Sequence, residues 1–158
     1  APWRRSRMPA RTIFTTADKA WRDRVQDSFD AQPFMEHLGA RLVHIAPGVV
    51  HIAVDEARFL GQQNGFIHAG VTTSIGDSAG GYAAMTLFPP GAGVLTTELK
   101  INLLRPAQGR SLIARAHVVK PGAALTVCTS DVFGIAKDGT ETHVATSLMT
   151  CMKMINQS

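Results

Sequence analysis

Hydrophobic positions near the start of the chain follow a helical period. Trp21, Val25 and Phe29 lie four residues apart and would form one apolar stripe, and Thr16 or Asp18 could cap the helix before them. The pattern therefore predicts a helix that ends near Phe29 and packs one face against a core.

The period then changes from helical to alternating. A short helix is predicted over 33–38, where Gly39 supplies a stop. The segments 41–46 and 49–55 are rich in β-forming residues, and the Pro-Gly pair between them is a turn signal. These two segments predict a β-hairpin.

The longest helical candidate, from Ala69 to about Leu87, contains several internal glycines. Each glycine costs a helix about 1 kcal/mol relative to alanine, so only tertiary packing could hold this segment helical. Small side chains let a neighbouring backbone approach closely, which predicts a central helix that a sheet wraps. The glycines are Gly70, Gly76, Gly80 and Gly81.

Four long alternating runs complete the chain, each separated from the next by a turn signal. We expect them to form a four-strand meander, so that the fold class is α+β, an antiparallel sheet around a central helix. The length of 158 residues fits one domain, which we place at 15–158. The runs cover 94–105, 111–120, 124–134 and 141–153.

Charge is concentrated at the N-terminus. Arg4, Arg5, Arg7 and Arg11 account for the formal net charge of +4, so the rest of the chain is neutral. We interpret 1–14 as a flexible basic leader, and the neutral body argues against nucleic acid as a partner.

Other global features point to a cytoplasmic protein without a membrane segment. No apolar run reaches the roughly eighteen residues that a spanning helix needs. Cys128 and Cys151 lack metal-binding spacing and are expected to be buried free thiols in a reducing compartment. The scattered histidines show no ligand pattern, so no metal site is expected.

The candidate chemistry centres on the start and middle of the glycine-rich helix. Asp77 is the only charged residue after His68 in that helix, which suggests a functional carboxylate. The helix start at Ala69 and Gly70 would present free backbone N–H groups to an oxyanion, with His68 organising the loop. Gln62 offers a further amide donor, with Gln63 and Asn64 as rivals.

The segment GFIHAGVTTSIGDSAGGYAA resembles the helix-opening segment of PaaI-type hotdog acyl-CoA thioesterases, in which an acid follows a histidine by nine residues. Gln62 lies six residues before this histidine, an arrangement similar to that in the hydroxybenzoyl-CoA thioesterase branch of the family. LKINLLRPA, at 99–107, resembles the strand that follows the helix in this family. The chain departs from the family at Ala69, where glycine is usual, although alanine retains the N–H donor.

The resemblance implies a hotdog fold and hydrolysis of an acyl-CoA to a free acid and CoA, without a cofactor beyond the CoA of the substrate. Asp77 would act as nucleophile or general base, with the hydroxyl of Thr96, or else that of Thr97, beside it. The site would lie between two subunits of a homodimer or homotetramer, Asp77 coming from one and the helix start from the other. Substrate contacts would include Phe66, Tyr82 and Arg105.

Two other functions stay open at this level. Hydratases and dehydratases share the fold, but their histidine-containing motifs are missing from the sequence. A hotdog protein that binds acyl-CoA without turning it over is the second alternative.

Overall fold

The computed structural model describes residues 12–16 and 18–155. Most of the predicted leader, residues 1–11, lies outside this part, and the leader therefore stays a prediction. The elements in chain order are α1 (Trp21–Asp30), α2 (Pro33–Leu38), β1 (Arg41–Ala46), β2 (Val49–Asp55), a 3-10 turn (Arg58–Leu60), α3 (Ala69–Met85), β3 (Ala92–Leu103), β4 (Ser111–Lys120), β5 (Leu125–Ile135) and β6 (Glu141–Ile155).

The strands form one antiparallel sheet in the order β1-β2-β4-β5-β6-β3. The hairpin prediction is confirmed, but the four-strand meander is wrong, because β3 pairs with β6 and β4 pairs with β2. The connection 104–110 is too long for a tight turn. Within it, Ala107 forms an isolated bridge with Ile67, which lies just before the start of α3.

Helix α3 lies across the sheet and supplies much of the core. Ile75, Ala79 and Ala83 are fully buried against it. An added Cβ at Gly80 would lie 2.1 Å from Sδ of the buried Met149, so that side chain would have to shift. Packing thus overrides helix propensity, and the expected α+β hotdog architecture is confirmed.

Helix α1 is attached to the end of α3 by Arg24. The guanidinium pairs with the buried Asp18 at 3.0 Å and donates to the carbonyl oxygens of Met85 and Phe88 at 3.4 and 2.8 Å. The predicted caps are wrong, because α1 begins only at Trp21 and Asp18 binds Arg24 and the N–H of residue 20 instead. The helix nevertheless buries Val25 and Phe29, as its stripe predicts.

Both cysteines, Cys128 and Cys151, are buried and free, as predicted. Within the described ranges, no helix has the length and apolar character to cross a membrane.

Candidate active site

His68 caps the N-terminus of α3 with its imidazole. Its backbone is extended, with φ −61° and ψ 138°, and its Nδ1 accepts the N–H of Gly70 at 2.8 Å. A ring nitrogen that accepts a hydrogen bond carries no proton, so in this contact the N–H of the ring lies on Nε2. The ring also occupies the Gly70 donor. The Ala69 N–H makes no hydrogen bond within the described part of the chain, which leaves it as the available donor of the predicted pair.

A cavity of about 540 Å³ opens at this helix start. The Oε1 of Gln62 accepts the backbone N–H of Asn64, which fixes the amide and leaves its NH₂ group to donate elsewhere. Asn64 itself is exposed and does not line the cavity. The walls are formed by Gln62, Gln63, Phe66, Ile67, His68, Ala69, Thr72, Leu103, Leu104, Arg105, Pro106, Ala107 and Val144.

Arg105 lies exposed at the edge of this cavity. Its Nη1 donates to the carbonyl oxygen of His143 at 3.0 Å, which attaches the guanidinium to β6. The remaining donors of the side chain make no hydrogen bond within the described ranges. A guanidinium held in this way is suited to a phosphate group at the cavity mouth.

Asp77 lies half-buried two turns further along α3. The Oγ1 of Thr96 donates to its Oδ1 at 2.7 Å, whereas Thr97 turns away and donates to the carbonyl of Thr150 at 3.1 Å. The structure therefore places Thr96, and not Thr97, beside the carboxylate. The second carboxylate oxygen, Oδ2, accepts no hydrogen bond from the described residues and is free to act on a ligand.

Thr96 lies next to a buried cysteine on the neighbouring strand β6. Thr96 is the register partner of the buried Cys151, which shares its face of the sheet with Cys128. The hydrogen bond to Cys151 is the largest of the effects that raise the pKa of Cys128, with burial second. Cys128 is therefore a poor nucleophile. The same hydrogen bond from Cys128 lowers the pKa of Cys151, the thiol beneath Thr96.

Asp77 belongs to a second cavity, of about 490 Å³, between α1, α3 and β3. Tyr82 lies on its wall, with its hydroxyl 3.4 Å from that of Ser28. Burial raises the pKa of Tyr82, so the phenol stays protonated and can donate. The walls are formed by Ser28, Gln32, Asp77, Ser78, Gly81, Tyr82, Met85, Gly93, Val94, Leu95, Thr96 and Met154.

The two cavities are distinct in a single chain, and none of the described residues lines both of them. Asp77 lies eight positions after Ala69 in the helix, a rise of about 12 Å. The predicted residues are thus divided. Gln62, Gln63, Phe66, His68, Ala69 and Arg105 surround one cavity, and Asp77, Tyr82 and Thr96 surround the other.

The sequence reasoning missed Ser28 and Gln32, which line the Asp77 cavity. Ser28 lies on α1, whereas Gln32 lies between α1 and α2 in an extended conformation, so no single helical period relates the two residues. The sequence therefore offered no periodic signal for this pair.

Comparison with known proteins places these features in a family. Residues 64–138 match the family described as "Thioesterase superfamily". A thioesterase family protein from Silicibacter pomeroyi has a similar structure, with a TM-score of 0.84 and 45% sequence identity, over 86% of this chain and 99% of that one. The segment that matches the family, 64–138, contains His68, Ala69 and Asp77.

Two further proteins extend the comparison. A predicted esterase of Halobacterium salinarum is 30% identical over 113 residues, which cover 68% of this chain and 74% of that protein. The PaaI protein of the E. coli phenylacetic acid degradation operon shares the fold, with a TM-score of 0.75 at 18% identity, over 89% of this chain and 96% of that one. The chain therefore belongs to the thioesterase superfamily.

Proposed function

We propose that the protein hydrolyses an acyl-CoA thioester to a free acid and CoA, with Asp77 as the catalytic carboxylate. The observation that carries this proposal is the state of the Asp77 side chain. Thr96 holds one carboxylate oxygen at 2.7 Å, and the other oxygen is free beside a cavity that could hold an acyl group. A carboxylate fixed in this way is prepared to attack a carbonyl or to activate water.

The start of α3 would stabilise the oxyanion. The Ala69 N–H has no intramolecular acceptor in the described ranges, and it lies at the positive end of the helix dipole. The Gln62 amide, whose oxygen is bound to the Asn64 N–H, would direct its NH₂ group toward the same carbonyl oxygen. Arg105 would bind a phosphate of CoA at the mouth of that cavity.

We propose that two subunits share each site. In one chain Asp77 and Ala69 lie in separate cavities, so a thioester held by Ala69 would meet the Asp77 of a second copy. The edge of the sheet supports this arrangement. Strand β3 has 12 residues, borders the Asp77 cavity and pairs only with β6 among the described strands. An open edge of this length is a ready surface for another strand.

The chemistry follows two possible courses. Asp77 could attack the thioester carbon, which releases the thiolate of CoA and forms a mixed anhydride that water then cleaves. Alternatively, Asp77 could take a proton from water as that water attacks the same carbon. A thiolate is a good leaving group, so neither course requires a second acid near the sulfur.

Thiol release from a panel of acyl-CoAs tests this proposal, with wild type beside Asp77→Asn. We expect Asp77→Asn to lose most of its turnover while it stays folded, because the amide retains the size of the side chain. Asp131→Asn is a matched control, since Asp131 is also half-buried but contacts His143 at 3.0 Å and lines neither cavity. Near wild-type turnover in Asp77→Asn would contradict the assignment.

The same experiment separates the main alternative. A hotdog protein that only binds acyl-CoA would retain the ligand but release no thiol from any member of the panel. The open Oδ2 of Asp77 favours the enzyme, because a binding protein has no use for an unpaired carboxylate beside an uncharged acyl group.

A further inference from the structure

Gly81 lies inside α3 at a position where the packing of the chain does not require a glycine. An added Cβ at Gly81 would meet a single atom within 4 Å among the described residues, Cγ1 of Val94, at the ordinary contact distance of 3.8 Å. The preceding Gly80 differs, since a Cβ there would lie 2.1 Å from Sδ of Met149. A glycine inside a helix costs about 1 kcal/mol relative to alanine, so the glycine at 81 needs another explanation.

Gly81 lines the Asp77 cavity together with Val94. It follows Asp77 by four residues, which places it on the same face of α3 and about 6 Å further along the helix axis. Val94 precedes Thr96 by two residues and shares its face of β3. The helix and the strand therefore face each other at two levels of the cavity. Thr96 donates to Asp77 at 2.7 Å at the first level, and Val94 faces Gly81 at the second.

The wall of the cavity continues along α3 for one more turn, to Met85. An acyl group whose carbonyl carbon lies at the Asp77 carboxylate would run past Gly81 on its way to Met85. The missing side chain widens the cavity at this intermediate level. A straight hydrocarbon chain needs no such width, whereas a branch or a ring on the acyl group does.

We infer that Gly81 is a specificity-determining residue, which admits acyl groups that carry a branch or a ring several carbons from the thioester. The inference rests on the proposed function, because it assigns the Asp77 cavity to the acyl portion of an acyl-CoA. Gly81 would contact the substrate away from the reacting carbon, so its effect falls on the choice among acyl groups.

The test compares straight-chain acyl-CoAs with methyl-branched and phenyl-substituted counterparts, in wild type and in Gly81→Ala. We expect kcat/KM for the bulky members, relative to the straight ones, to fall roughly tenfold or more in the variant, the usual effect of one carbon atom in a close-fitting pocket. A second change, Val94→Ala, should restore part of that loss, because it returns volume to the same level of the cavity.

Gly76→Ala is the matched control for Gly81→Ala. It gains the same helix propensity, an added Cβ there lies 3.6 Å from the nearest side-chain atoms, and Gly76 lines neither cavity. We expect Gly76→Ala to keep the wild-type ranking of substrates.

Thermal unfolding and gel filtration distinguish a substrate contact from a structural role. Gly81→Ala should keep its assembly and a Tm at or above that of wild type, because the methyl group adds helix propensity without a close contact. A lowered Tm or a lost assembly would assign Gly81 a structural role instead.

Two further outcomes would overturn the inference alone. One is a wild type that turns over straight chains only, and the other is an active Gly81→Ala in which kcat/KM keeps the wild-type ranking or falls equally for straight and bulky substrates. No thiol release from any acyl-CoA by wild type would overturn the proposed function with it.

Discussion

The hydroxyl of Thr96 on β3 donates a 2.7 Å hydrogen bond to Oδ1 of Asp77 on α3. This contact joins the edge strand of the sheet to the central helix at the one carboxylate of that helix. It restricts the rotation of the Asp77 side chain and leaves Oδ2 open. The orientation of the proposed catalytic group therefore depends on the strand that forms the open edge.

Replacing Thr96 should slow turnover without removing the carboxylate. In Thr96→Val the shape is retained and the donor is lost, so we expect kcat to fall roughly tenfold, with a smaller change in KM. Thr96→Ser should retain most of the activity. Thr97→Val is the control, because the hydroxyl of Thr97 donates to the carbonyl of Thr150 instead. If kcat fell equally in Thr96→Val and Thr97→Val, that result would argue against a specific role for Thr96.

The oxyanion donor can be removed while the helix is kept. Ala69 is the first residue of α3, a position that accepts proline, and His68 already has the extended backbone that proline requires before it. Ala69→Pro deletes only the N–H in question. We expect kcat to fall about 10²- to 10³-fold, the usual effect of losing one oxyanion donor.

Ala69→Gly serves as the control, since glycine retains the N–H and should stay active. Circular dichroism and gel filtration would show that Ala69→Pro keeps its fold. A folded Ala69→Pro protein with unchanged kcat would place the oxyanion elsewhere.

Two glycines one turn apart in α3 should respond differently to alanine. At Gly80 a Cβ would meet Sδ of Met149 at 2.1 Å, but at Gly76 the nearest atoms lie at 3.6 Å, an ordinary contact. Both variants gain the same helix propensity. The free energy of unfolding of Gly80→Ala should therefore lie about 1–3 kcal/mol below that of Gly76→Ala.

Urea unfolding of the two variants measures this difference directly. If Gly80→Ala were as stable as Gly76→Ala, Met149 would have moved aside without cost, and close packing of α3 on β6 would not explain the glycine.

Much of the fold could be predicted from the sequence, because local period and turn signals agree with the final structure. The hairpin 41–55 and the strand 111–120 have the predicted bounds. Helix α3 was predicted against its propensity, from the small side chains that its packing needs. The position of β3 was not predictable in this way, since order along the chain does not state which strands pair across a long connection.

The sequence suggests a set of candidate site residues but not their arrangement. The spacing of His68 and Asp77 pointed to the segment of candidate residues. Only the folded structure reveals that the His68 ring accepts the N–H of Gly70 and leaves the N–H of Ala69 without an intramolecular acceptor among the described residues. The positions of Ser28 and Gln32 on the wall of the Asp77 cavity were missed because they depend on how the first two helices pack beside α3, which the stripe on α1 does not specify.

The most direct measurement mixes two inactive proteins. Asp77→Asn and Ala69→Pro would be unfolded together, refolded as a mixture and assayed for thiol release from an acyl-CoA. If the carboxylate and the oxyanion donor come from different subunits, a mixed dimer has one site with both changes and one site with neither. Random pairing would then restore about a quarter of the wild-type activity. Activity no higher than the mean of the two variants, with mixed dimers present, would contradict a shared site that uses Asp77 and Ala69.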